Sequence, residues 1–303
     1  MYSLMAYIIP WIVWIRFKGS FQSADALHAR IKRERQTATH QPPADLHRRI
    51  IVSEREVGGR PVYDLSPKSG GPHRARLLYL HGGAFIFEIK PQHWGLAAEL
   101  AEALDAVVTV PVYPLAPEHK LPELYAMLQP LHDETAATAA KEGVPFLLVG
   151  DSCGGNMALV LTQQAAEEGR PTASRMVLTT PFVDLSLTNP DMRAAARRDP
   201  FYDIPGFEEV TSMVMPPGMD PKVPLASPLY GNLSALPPML VFMAEKDLLS
   251  PDATRLVDRA RKQRRDVTIV EGKGMVHMWP VMPFHEGRVA RKEMTTWLGG
   301  ILQ

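Results

Sequence analysis

Ser152 stands in Gly150-Asp151-Ser152-Cys153-Gly154, where the apolar run "FLLVG" gives way to the helix-spaced "GNMALVLTQQAAEEG". A serine flanked two positions away by glycines, between a strand and a helix, has the form of an elbow that lifts a hydroxyl clear of a sheet. The helix that follows would set its amino end beneath negative charge developing beside that hydroxyl. A serine hydroxyl is a weak nucleophile until a base takes its proton, so the elbow demands a histidine and an acid to orient it. At such elbows the partners follow in the order serine, acid, histidine. Of the ten histidines, only His277 and His285 lie beyond Ser152. His277 follows the strand-like "DVTIVE" in a glycine-broken loop, whereas His285 opens the last helical stretch and reads as a cap or surface residue. The acid should end the preceding strand. In "PMLVFMAEKDLLSPDA", Asp247 comes just past the apolar run, Asp252 falls in the first turn of a helix, and Glu245 is the reserve candidate.

Acyl transfer also needs donors for an oxyanion. "LLYLHGGAF" places Gly82, Gly83 and Ala84 directly after another apolar run, where a glycine loop lets backbone N–H groups converge with the amide of Cys153. One such donor typically supplies about 3–4 kcal/mol of transition-state stabilisation. His81 reads as structural, holding the loop.

These residues are remote in sequence, so a sheet must gather them. Short apolar runs, "ARLLYLH", "AVVTVPVY", "PFLLVG", "RMVLTT", "PMLVFMA" and "DVTIVE", alternate with helix-spaced stretches from "GLAAELAEAL" to "PDATRLVDRARKQ". That rhythm predicts an α/β fold, a mostly parallel sheet covered on both faces. "RRIIVSEREV" and "RPVYDL", joined at Gly58-Gly59, predict an antiparallel hairpin at its edge. The stretch from Asp184 to about Pro224 is rich in Pro, Met and Arg and has no strand pattern, which suits an insertion above the sheet. In "SADALHARIKRERQTA" the charges read as a solvated helix face.

The chain has 303 residues, 46% hydrophobic and 22% charged, with 33 Lys+Arg balancing 33 Asp+Glu. No field exists to gather polyanions, which argues against nucleic acid as partner. No zinc-ligand spacing or phosphate-cradling loop is present, so neither metal nor organic cofactor is expected. Cys153 is the single cysteine, so no disulfide can form within the chain. The apolar stretch from Leu4 to Ile15 is interrupted by Pro10 and is shorter than the about 20 residues a bilayer span requires. It lacks the basic start and small-residue cleavage site of a secretory leader. A helix packed over a pocket is the favoured reading, an interfacial membrane contact the alternative. A cytoplasmic location is expected on the favoured reading.

"HGGAF", "YPLAPEHKLP", "GDSCGGNMA" and "SPLYGNLSALPPMLVFMAEKDLL", leading into "VHMW", together resemble the hormone-sensitive-lipase-like (bacterial family IV) carboxylesterases of the α/β-hydrolase fold. The resemblance covers about residue 50 to the C-terminus. It implies an eight-stranded sheet with a helical cap: residues 1–45 as the first part of the cap, 46–184 and 226–303 as the catalytic core, and 185–225 as the cap insertion. It implies Ser152 as nucleophile, Asp247 as acid and His277 as base, with Gly82, Gly83, Ala84 and Cys153 at the oxyanion. The expected substrate is a small-molecule ester with a short- to medium-chain acyl group. Phe85, Trp11, Trp14, Met213 and Met215 are candidates for the substrate pocket, and the resemblance allows a homodimer through the last strand and helix. This chain departs from the family pattern at Ala84, Pro114, Cys153 and Met278, where glycine, arginine, alanine and glycine are usual. A binding protein on the same scaffold and a membrane-associated lipase are the competing readings. The retained Ser, Asp and His favour turnover.

Overall fold

The computed structural model describes Ile8 and residues 17–302. Its eight strands are β1 (Ile50–Val57), β2 (Arg60–Pro67), β3 (Ala75–Leu80), β4 (Ala106–Pro111), β5 (Phe146–Asp151), β6 (Arg175–Thr179), β7 (Met239–Lys246) and β8 (Val267–Val276). They form one sheet in the order β1-β2-β4-β3-β5-β6-β7-β8. The β1–β2 and β2–β4 pairs are antiparallel and every other pair is parallel. The sequence explains this division. Every residue of β4 and β5 is buried, as strands covered on both faces require, whereas β1 carries Ser53, Glu54 and Glu56 into solvent at the sheet edge.

The helices are α1 (Ala24–Thr37), α2 (Pro91–Leu104), α3 (Leu121–Glu142), α4 (Cys153–Glu167), α5 (Met192–Ala196), α6 (Ile204–Val214), α7 (Ser250–Lys262) and α8 (His285–Gly299). Helices α3, α4 and α7 bury Leu128, Met157 and Leu256 against one face of the sheet. Helices α2 and α8 bury Leu100, Met294 and Leu298 against the other. Among the described residues no helix is long and apolar enough to cross a membrane.

Residues 185–225 hold α5 and α6 and no strand. They pack on the N-terminal segment: Phe21 meets Phe207 at 5.8 Å and Tyr202 edge-on at 4.7 Å. The charged face of α1 departs from the sequence expectation. Lys32 and Arg33 are solvated, but Arg35 turns inward to donate to the carbonyls of Ile86 and Ala116, and Arg30 lies over the rings of Phe17 and Phe87. The guanidinium planes find carbonyls and aromatic faces in the loops after β3 and β4 and at Phe17, partners that helical periodicity does not reveal.

Candidate active site

Gly82, Gly83, Ser152, Asp247 and His277 all lie just past the carboxyl ends of parallel strands, where open α/β sheets place their ligands. The register makes this concrete. Leu80 pairs with Gly150, so the loop after β3 emerges beside the turn after β5. Lys246 pairs with Val276, and Asp247 and His277 are the next residues on those neighbouring strands. Sheet pairing alone therefore sets the acid beside the histidine.

Ser152 has φ 54° and ψ −120°, a left-handed conformation that costs a non-glycine residue about 1–3 kcal/mol. The turn is held by backbone bonds: Ser152 N–H donates to Thr179 O at 2.8 Å, and Ser152 O accepts from Gly155 and Phe182, each at 3.0 Å. Glycine at 150 and 154 is a requirement of close approach. A Cβ on Gly150 would come within 2.3 Å of Gly154 O, and one on Gly154 within 1.9 Å of Leu80 O.

His277 Nδ1 lies 3.1 Å from Asp247 Oδ1, and both side chains are buried. The two groups are in contact without full hydrogen-bond alignment. Asp247 Oδ1 also accepts from Leu249 N–H at 3.0 Å. His277 Nε2 is buried and has no hydrogen-bond partner among the described residues. The histidine loop is tied to the serine turn through consecutive threonines, since Thr180 Oγ1 accepts from Met278 N–H at 3.1 Å while Thr179 holds Ser152. Burial pushes the imidazole pKa down, but the charges of Asp247, Asp199 and Asp151 outweigh it and hold His277 above its ordinary value.

The reserve residues have other work. Asp252 accepts from Asn189 and Arg255, each at 2.8 Å, at the start of α7. Glu245 is exposed and accepts from Gly274 N–H, and His285 is exposed at the start of α8.

The glycine loop after β3 departs from the sequence expectation at one residue. Gly82 N–H donates to Asp151 Oδ2 at 2.8 Å and is therefore committed to that carboxylate, which also receives Tyr79 Oη at 2.6 Å. Burial raises Asp151 to about 6 against the pull of these two donors. The amides of Gly83 and Cys153 have no acceptor among the described residues, the Ala84 amide faces the Cys153 sulfur, a weak acceptor, and Cys153 heads α4, where the first-turn amides lack intrahelical partners. Gly82 thus anchors the loop, and the adjacent Gly83 amide is left free. His81 is structural: its ring nitrogen meets Gly82 O at 2.7 Å, and burial first pushes its pKa down to about 4, so the ring stays neutral. The Cys153 thiol is buried against Phe85 N–H, and burial pushes it up to about 12, which leaves no thiolate to compete with Ser152.

Beside Gly82 and Gly83 lies a cleft of about 320 Å³ with walls from Phe17, Phe21, Phe87, Phe201 and Tyr202, and a polar rim of Arg30, Glu34 and Lys90. Phe85, Met213 and Met215 do not line it. Phe85 and Met213 are buried in the core, and Met215 borders a separate surface hollow with Lys120 and Pro216. Trp11 and Trp14 lie outside the described residues. The aromatic pair of "DPFYDIP", Phe201 and Tyr202, escaped the sequence reading because the insertion has no periodicity to aim its side chains. Two aromatics directly after an Asp-Pro turn were the available signal.

A family model described as alpha/beta hydrolase fold matches residues 77–281, which include Ser152, Asp247 and His277. The chain belongs to the alpha/beta hydrolase fold family. Its relatives there include proteins described as esterases and an acetyl-hydrolase. The chain is 31% identical to an acetyl-hydrolase of Streptomyces hygroscopicus over 71% of its own length and 72% of the relative's. It is 30% identical to an esterase of Acinetobacter venetianus over 61% of each chain. Among solved structures, a hormone-sensitive lipase from a metagenome library superposes with a TM-score of 0.76 at 25% identity, covering 93% of this chain and 99% of that one. This hydrolase therefore sits on the hormone-sensitive-lipase-like branch, with the carboxylic ester hydrolases.

Proposed function

We propose that the protein is a serine carboxylesterase that cleaves small esters with short- to medium-chain acyl groups through an acyl-enzyme on Ser152. The observation that carries this is the pairing of Lys246 with Val276, which delivers Asp247 and His277 side by side at the sheet end that holds the strained serine. His277 Nε2 takes the proton from Ser152 Oγ as that oxygen attacks the ester carbonyl. The amides of Gly83, Ala84 and Cys153 receive the oxyanion, and the amino end of α4 adds a favourable field. When the carbon–oxygen bond breaks, the imidazolium returns its proton to the departing alcohol. Water, deprotonated by the same nitrogen, then releases the acid. Asp247 orients the imidazole and stabilises the imidazolium that forms. The N-terminal residues and the insertion 185–225 act together as a cap. The cleft is at the lower end of small-molecule sites and is walled by aromatic rings, which favours modest acyl groups over long chains.

A fluorophosphonate probe tests this reading. Peptide mapping should place the added mass on the peptide holding Ser152, and turnover of p-nitrophenyl esters from acetate to palmitate should peak at the short end. Label on any other residue, or a peak at palmitate, would overturn the assignment.

The pH profile is a second check. His277 must be neutral to act as base, and its pKa is raised, so kcat/KM should fall on the acid side with a midpoint above the ordinary imidazole value of about 6.5. The linkage has the opposite sense for folding. Stabilisation from the Asp247–His277 contact is fully present below the unfolded value and is lost as pH rises through the folded one.

A further inference from the structure

Asp199 lies in the connection between α5 and α6 and is 2% exposed. Its two oxygens serve different parts of the fold. Oδ1 accepts from the amides of Phe201 at 2.6 Å and Tyr202 at 3.1 Å, closing a local turn. Oδ2 reaches away from the insertion to accept from Leu248 N–H at 2.7 Å, and Leu248 is the residue after Asp247. The backbone of the same segment wraps a buried ammonium: Lys18 Nζ donates to the carbonyls of Ala196, Asp199 and Tyr202 at 2.6, 2.8 and 2.7 Å. Asp203 Oδ2 stands 3.9 Å from that nitrogen.

The turn so fixed presents two rings to the catalytic histidine. Tyr202 meets His277 edge-on, with centroids 4.9 Å apart at 76°, and Phe201 lies at 6.5 Å and 68°. Both rings also wall the cleft beside Gly82 and Gly83. A turn acceptor alone does not require a buried carboxylate, because a neutral asparagine closes the same local turn without the cost of burying charge. The second oxygen on Leu248, and the proximity of a negative charge to Asp247 and His277, are what an asparagine would not reproduce.

We propose that Asp199 is a positioning residue that locks the cleft wall to the Asp247–His277 pair, holding the acid's loop through the Leu248 amide and the histidine ring through Tyr202. The inference rests on the reading of Asp247 and His277 given under Proposed function. It makes the insertion part of the catalytic geometry, because the segment that touches substrate also sets the ring of the base. Asp199 transfers no proton in this scheme. Its charge adds to that of Asp247 in favouring the imidazolium formed when Ser152 attacks. Burial first, and the Asp247 charge second, raise Asp199 above the ordinary carboxylate value, while the Leu248 amide and His277 oppose them and favour its charged form. The charged groups around it are Asp247 and His277 on the core side and, through the backbone it shares, Lys18 and Asp203 on the cap side.

The test is Asp199→Asn in the full chain, with kcat and KM for p-nitrophenyl butyrate measured across the pH range and Ser152→Ala assayed in parallel. Small misplacements of catalytic groups cost up to about 100-fold, so kcat should fall about 10- to 100-fold while KM changes less than about threefold. With one negative charge facing His277 removed, the acid limb of kcat/KM should move to lower pH. A folded Asp199→Asn protein with the wild-type kcat and an unmoved acid limb overturns the proposal. Should that variant fail to fold, Tyr202→Leu carries the test. A lower kcat supports the proposal, and a raised KM with unchanged kcat reduces Tyr202 to a substrate wall and overturns it. Activity surviving in Ser152→Ala would mean that the catalytic reading has failed. An inactive Ser152→Ala beside a wild-type-like Asp199→Asn would remove only the role given to Asp199.

Discussion

Ser152→Ala is expected to reduce kcat for p-nitrophenyl butyrate by at least about 10⁴-fold, because removing the nucleophile of a triad removes covalent catalysis and leaves only binding and the oxyanion donors. The fold should survive. Every hydrogen bond described at this residue is made by its backbone, to Thr179, Gly155, Asn156 and Phe182, and alanine keeps all of them. Cys153 cannot stand in for the lost hydroxyl, since its thiol is buried and held protonated. A paired variant separates chemistry from strain. Ser152→Gly also lacks the hydroxyl but accepts φ 54° without the Cβ penalty, so it should be equally inactive yet more stable than Ser152→Ala by about 1 kcal/mol. Thermal melts of the two proteins read the strain, and steady-state assays read the chemistry. Activity within tenfold of wild type in either variant would remove Ser152 from the mechanism.

Much of this was legible in the sequence because period and punctuation record it. All eight strands fall on apolar or alternating runs, and the turn at Ser152 shows its glycines openly. The order of serine, acid and histidine narrowed ten histidines to His277 and His285, the loop after "DVTIVE" favoured His277, and the structure has it beside Asp247. What stayed hidden depends on side-chain direction in segments without a period. Nothing in "HGGAF" shows that the first glycine amide is spent on Asp151 while the second remains free. Nothing in "KGSF" shows that Lys18 is buried under three carbonyls of a segment almost 200 residues away, since lysine is ordinarily a surface residue. The cleft walls were missed for the same reason. Methionines drew notice as adaptable lining, but the insertion turns them into its own core and gives Phe201 and Tyr202 to the site.

Gly154→Ala should be the most damaging single methyl in the chain. Gly154 lies in the first turn of α4, where it runs directly under the end of β3, and an added Cβ would stand 1.9 Å from Leu80 O, 2.6 Å from Leu80 C and 3.0 Å from His81 O. Those atoms are backbone, so no rotamer change relieves the clash. Either α4 must withdraw from the sheet or β3 must shift, and β3 is held by β4 on one side and β5 on the other. Overpacking against mobile side chains costs about 1–3 kcal/mol, and a backbone collision of this depth should exceed about 3 kcal/mol. Activity should fall with stability even in any fraction that folds, because Leu80 and His81 lead into the loop that offers Gly83 and Ala84 to the oxyanion, and Cys153 adjoins the altered residue. Gly95→Ala is the matched control. Gly95 lies within α2, a Cβ there meets nothing within 4 Å, and replacing a helical glycine should stabilise the protein by about 0.5–1 kcal/mol with turnover unchanged. Denaturant melts of the two variants therefore move in opposite directions from wild type. A Gly154→Ala protein as stable and as active as Gly95→Ala would mean that the helix does not approach the sheet this closely, and the strained serine elbow would lose its structural cause.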